Sequence, residues 1–180
     1  MKKLFVLLMI VFCSLSVFSQ PKGHIFAIGG GFRSSDMMNR YIALAGGKNA
    51  HIVVLPMASE VMEESAAEHI DQFKELGCTN VEVMIFTKQT ADDPANFAKL
   101  KDVTGVFFGG GDQVKLTGVL LGTKLFDRIK EIYNNGGVIG GTSAGAAVMS
   151  EVMITGEELV SKDTTVSFAI FEKGGTRLNR

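Results

Sequence analysis

Five short apolar runs recur along the chain, each closed by glycine or turn chemistry: His24 to Ile28, Ala50 to Leu55, Val81 to Phe86, Val103 to Phe108 and Val138 to Gly141. They are β-branched or aromatic and lack an alternation of apolar and polar residues, which is the signature of strands covered on both faces of a parallel sheet. Between them the apolar spacing lengthens to three and four. Met62, Ala66, Ile70, Phe73 and Leu76 predict a helix capped by Ser59 and stopped by Gly77. A second helix runs through Leu125, Phe126, Ile129, Ile132 and Tyr133 to Gly136, and a shorter one covers Asp36 to Ala45. Strands that alternate with helices imply right-handed β-α-β units, hence a doubly wound α/β domain. Ligands in such folds bind where the carboxyl ends of the strands open into loops. The sequence carries no internal repeat, linker or low-complexity tract.

The first nineteen residues stand apart from this alternation. Lys2 and Lys3 precede a greasy stretch, Leu4 to Phe12, and a serine-rich segment ends at Val17-Phe18-Ser19. Basic start, short apolar core and small residue predict a secretory signal cleaved after Ser19. The stretch is well short of the roughly 20 apolar residues that span a bilayer. The expectation is a periplasmic or secreted product, residues 20–180, folded as a single domain. Cleavage removes Cys13 and leaves Cys78 alone, so no disulfide can form within the product. The whole chain of 180 residues has 46% hydrophobic residues and a formal net charge of -1, which excludes disorder and a nucleic-acid binder driven by bulk charge. No His, Cys and carboxylate cluster has ligand spacing, so neither a metal nor another cofactor is expected.

Three of the strand-end loops are rich in glycine. Gly29-Gly30-Gly31-Phe32-Arg33-Ser34 partly imitates a dinucleotide fingerprint, but Ser34 stands at the third glycine and no acid closes the second strand, so it reads as a tight turn. Gly109-Gly110-Gly111-Asp112-Gln113 could aim backbone N–H groups at an anion, with Gln113 fixing a peptide-like substrate, or could be a turn in which Asp112 caps a helix. The third loop is the most specific. Gly141-Thr142-Ser143-Ala144-Gly145 sets a serine in Gly-x-Ser-x-Gly between a strand and a helix, the arrangement of a nucleophile elbow. A side chain at either flanking glycine would meet neighbouring backbone, the Ala144 N–H would lie beside the Ser143 hydroxyl, and the following helix start would favour an oxyanion. The competing reading makes Ser143 a helix N-cap.

A serine nucleophile needs a base, usually a histidine oriented by a carboxylate. His24, His51 and His69 all precede the elbow. The first two fall at the wrong ends of their strands, and His69 is expected at the surface or boundary of its helix. Glu151, Glu157 and Glu158 follow the elbow, and spacing does not choose among them.

Phe107-Phe108-Gly109-Gly110-Gly111-Asp112-Gln113, followed by Gly141-Thr142-Ser143-Ala144-Gly145-Ala146 and Met153-Ile154, resembles the cyanophycinases, serine peptidases related to the aspartyl dipeptidases. The resemblance runs from about Ile25 to Ile154 and implies a class I glutamine-amidotransferase-like α/β fold. It implies Ser143 as nucleophile, the Gly110 and Ala144 amides near the oxyanion, and Gln113 against substrate. It implies hydrolysis at aspartate bonds, as in the β-linked Asp-Arg units of cyanophycin. The Asp-Gln-His-Phe segment that carries the family's histidine has no counterpart up to Arg180, so a member shortened at its carboxyl end is expected, with impaired activity. The alternation of Val166, Phe168 and Ile170 predicts one further strand. A non-catalytic domain that holds an acidic or peptide ligand is the alternative, whereas a cysteine-based amidotransferase is disfavoured because the elbow holds Ser143 and not cysteine. Loss of covering strands would expose apolar surface and favour oligomers.

Overall fold

The continuous apolar runs form a parallel sheet because both of its faces are covered. The computed structural model describes residues 22–158 and 176–179; the expected signal segment and the strand expected around Val166 lie outside them. Strands β1 (His24–Ile28), β2 (Ile52–Leu55), β3 (Val81–Val83), β4 (Gly105–Phe108) and β5 (Val138–Thr142) are arranged in the order β1-β5-β4-β2-β3, all parallel. Helices α1 (Ser35–Leu44), α2 (Met62–Glu75), α3 (Pro94–Lys99), α4 (Gln113–Leu120), α5 (Lys124–Asn134) and the single turn α6 (Ala144–Ala147) connect or follow them. A separate antiparallel pair joins β6 (Met153–Glu158) to β7 (Thr176–Asn179).

Successive strand residues point into two different cores, which is why the strands read as unbroken apolar stretches. Ile52, Val54, Phe107 and Val138 pack with Met38, Tyr41 and Ile42 of α1 and Phe73 of α2. Val53, Leu55, Val106, Phe108 and Ile139 pack on the other side with Leu116 and Leu120 of α4 and Leu125, Ile129 and Ile132 of α5. The expected class, a doubly wound and mostly parallel sheet, is what the chain adopts.

Two local expectations need correction. Ser59 does not cap α2: the cap position is Val61, and the Ser59 hydroxyl accepts from the Val61 N–H at 3.1 Å in a turn before the helix. The strand expected to run to Phe86 stops pairing at Val83, although Met84 and Phe86 stay buried.

The register sets the site. Ile28 pairs with Thr142 and Phe108 with Gly141, while Leu55 pairs with Phe108. The three loops that leave β1, β4 and β5 therefore open at one edge of the sheet.

Candidate active site

Ser143 follows the last residue of β5 and has φ 54° and ψ -115°. It is the only non-glycine residue of positive φ among the described residues. These angles lie outside the small left-handed well, where ψ runs from about +30 to +60°, and match the first central position of a type II′ turn, which is dominated by glycine. The bend is held on both sides. The Ser143 N–H donates to the Ile28 carbonyl at 2.9 Å, and its own carbonyl accepts from Ala146 and Ala147 at 2.9 and 3.0 Å. The side chain makes no capping bond and is exposed. Ser143 is thus an elbow residue, and the N-cap reading fails on both backbone angle and side-chain partner.

The flanking glycines are a steric requirement. A Cβ on Gly141 would lie 2.5 Å from the Gly145 carbonyl atoms, and a Cβ on Gly145 would lie 2.3 Å from the Phe108 oxygen. The helix start, β5 and the end of β4 therefore approach more closely than any side chain allows.

Two glycine loops bracket the serine. A Cβ built on Gly30 or on Gly110 would stand 3.4 Å from the Ser143 Cβ in either case. Gly109 carries the last link of its loop to β2, its N–H donating to Leu55 at 3.1 Å, and Gly110 comes next beside the serine. Ala144 opens α6, so its N–H is among those that a helix leaves without an intrahelical acceptor. Because α6 is a single turn, any anion stabilisation here comes from local amides and owes little to a macrodipole.

The remaining residues singled out by sequence have plainer roles. Asp112 caps α4, its carboxylate accepting from Val114 and Lys115 at 2.7 and 3.4 Å. Gln113 donates its side-chain amide to the Ile154 carbonyl at 2.8 Å and so ties β6 to α4. Glu151 is exposed after α6 and lines an apolar cavity of about 330 Å³ between α4, α5 and the β1 edge. His24 and His51 lie at the amino-terminal end of the sheet, where His51 meets Glu82 at 2.8 Å.

His69 is the residue sequence reading misplaced. It is buried, only 3% exposed, and its ring packs edge-on against Phe107 at 5.1 Å. Burial first, and then the Arg33 guanidinium, push its pKa down to about 4, with Glu68 opposing. Its spacing from Ala66 and Phe73, the other buried residues of α2, was the available signal. Beside it, a cavity of about 350 Å³ is lined by Gly31, Phe32, Arg33, Glu68, Asp71 and Glu75 among others. Arg33 pairs with Glu68 and donates to Gln72 at 2.9 Å. No group of three or more ligand-type side chains that could hold a metal occurs among the described residues.

Comparison with known proteins shows the family and the fold. Residues 25–172 match peptidase family S51. Cyanophycinase of Synechococcus elongatus is 33% identical over 141 residues, which make up 76% of this chain and 44% of that protein. Cyanophycinase of Geminocystis herdmanii is 31% identical over 140 residues, 75% of this chain and 52% of that one. The chain thus spans about half the length of these curated relatives. Among solved structures, a peptidase from an acI-B1 Actinobacterium superposes with a TM-score of 0.55 at 25% identity, covering 76% of this chain and 60% of that one. A putative peptidase E protein from Listeria monocytogenes shares the fold, with a TM-score of 0.50 at 21% identity over 69% of this chain and 60% of its own.

Proposed function

The chain belongs to peptidase family S51, and from that premise we propose that it is a cyanophycinase-like serine peptidase whose nucleophile is Ser143. The observation that carries this reading is the strained, exposed and uncapped serine between two glycine loops. Strain at a non-glycine residue persists where the surroundings over-determine it, and such sites are commonly functional.

The proposed step is attack of the Ser143 Oγ on a substrate carbonyl carbon. The carbonyl oxygen becomes an oxyanion, received by the Gly110 and Ala144 amides, and the hydroxyl proton passes to a base. His24 and His51 lie at the amino-terminal end of the sheet, and His69 is buried against Phe107. Without a base, the amides and substrate binding would still supply about 10³–10⁴-fold acceleration over water. We further propose Asp-containing peptides, of the β-Asp-Arg type, as substrate. The cavity beside Gly31, with Glu68, Asp71 and Glu75 on its wall, suits a cationic side chain. Gln113, given a substrate contact by the sequence reading, spends one amide N–H on Ile154 and keeps its carbonyl and second N–H for a substrate.

The second reading is a secreted domain that binds such a ligand, through the acidic wall of Glu68, Asp71 and Glu75, without cleaving it. A fluorophosphonate separates the two. Rapid labelling of the purified protein, lost in Ser143→Ala, supports the peptidase; an inert serine in a folded sample leaves the binder. Export behind the leader sequence belongs to this proposal, as does self-association through β1, the edge strand among the described residues, where Ile25 is 52% exposed beside the apolar cavity. Amino-terminal sequencing and sedimentation test these two points.

A further inference from the structure

Both glycine loops that bracket Ser143 rest on the same helix. One face of α2 carries Ser65, Glu68, His69 and Gln72 at helical spacing. Glu68 and Gln72 hold the first loop: Arg33 donates to both, and the Gln72 amide returns a hydrogen bond to the Arg33 carbonyl at 2.8 Å. Ser65 and His69 lie under the second. A Cβ on Gly109 would stand 3.5 Å from the Ser65 Oγ and 3.6 Å from the His69 Nε2. The imidazole is wedged there with Phe107, two residues before Gly109, against its edge.

His69 is an unusual choice for that wedge. It is 3% exposed and its Nδ1 has no hydrogen-bond partner. Buried polar atoms are nearly always paired, so an orphan nitrogen calls for an explanation. An apolar residue would fill the space without that penalty.

We propose that His69 is a positioning residue for the Gly109–Gly111 loop, its neutral imidazole setting the height of the Gly110 amide beside Ser143. The proposal rests on the peptidase reading only for the use made of that amide. The charged groups facing the ring are Arg33, from the loop after β1, and Glu68 on α2 itself; the side presented by β4 is Phe107 and Gly109. A proton on His69 would place a cation in a buried site beside the Arg33 guanidinium, and relief would come from moving the ring or the glycine loop that sits on it. The two brackets of Ser143 would then lose their common support.

The test follows amide signals of Gly109, Gly110, Gly111 and Ser143 by NMR while the purified protein is taken from neutral pH to below His69's midpoint of about 4. The expected result is that these amides shift with the midpoint of the His69 ring and that His69→Gln abolishes the shift. Loop amides that ignore the His69 titration would overturn the proposal. A second measurement at neutral pH needs no titration. In His69→Ala the loop amides are expected to exchange with solvent about tenfold faster while β5 keeps its protection, and unchanged loop exchange would overturn the proposal equally. Fluorophosphonate labelling run alongside separates this idea from the one above. A loop that follows His69 around an unreactive Ser143 keeps the positioning role and removes the nucleophile; a reactive Ser143 beside an indifferent loop does the reverse.

Discussion

Replacing Ser143 by glycine should make the protein more stable and destroy its reactivity in the same step. The backbone at φ 54° and ψ -115° is costly for any residue with a Cβ and free for glycine. A residue held in such a region stores about 1–3 kcal/mol. Glycine returns about 0.4–1 kcal/mol of that through the greater entropy of the unfolded chain. The net expectation is a gain of about 1 kcal/mol, which is about 2–4 °C in Tm for a domain of this size. Ser143→Ala is the control, because it keeps the Cβ and hence the strain. It removes only an exposed hydroxyl without a capping bond, so its stability should stay within about 0.5 kcal/mol of the parent. Urea unfolding of the three proteins, with thermal melts alongside, measures the ordering glycine above serine and alanine. If Ser143→Gly were no more stable than Ser143→Ala, the bend would not be strained and the inference from strain to function would fall.

Three further changes have expected signs. Gly145→Ala would drive a methyl to 2.3 Å from the Phe108 oxygen and 2.8 Å from the Gly109 oxygen, both backbone, so a loss of about 3 kcal/mol or more is expected in chemical denaturation. Asp112→Ala removes the cap of α4 and should cost about 1 kcal/mol, whereas Asp112→Asn, which still caps, should cost little; equal losses would refute the assignment. Acid should weaken the fold through His69. Its pKa falls from 6.5 when unfolded to about 4 when folded, so its contribution is complete above 6.5 and about 3 kcal/mol is lost as pH falls to 4. Glu68, held low chiefly by its hydrogen bond from Arg33, loses its own contribution over the acid range. The His69→Leu difference in urea midpoint across the window isolates the imidazole's share, and an unchanged slope would contradict the assignment.

The strands were legible because a sheet covered on both faces leaves no polar gap in its runs, as Ile52 to Leu55, all fully buried, illustrate. The elbow was legible for a different reason. Only glycine can stand where Gly141 and Gly145 do, so a steric constraint wrote itself into the residue types. Two helices escaped sequence reading. α3 is announced by Asp93 as cap and Pro94 in the first turn, but it spans six residues with none buried, too few to show a period. α4 carries Gly118 on its exposed side and shows little amphipathic contrast, although its Asp112 cap was visible. His69 was misjudged because its charged neighbour Glu68 suggests solvent. Its spacing from Ala66 and Phe73 carried the burial, whereas its contact with Phe107, across the fold, is not conveyed along α2. Gln113 is similar: its side chain is drawn to a carbonyl in β6, a partner fixed by tertiary packing.

The bond from the Ser143 amide to Ile28 has a consequence for how the molecule is made. Among the described strands β1 is the first to leave the ribosome, and its partner in the sheet is the fifth. The other described strands of the sheet emerge before that pair can close, and closure over so long a loop is slow. Until then nothing holds the serine in its bent form. The bend at Ser143 is therefore closed only after β5 has been made, and until then a nascent chain carries an ordinary, relaxed serine at that position.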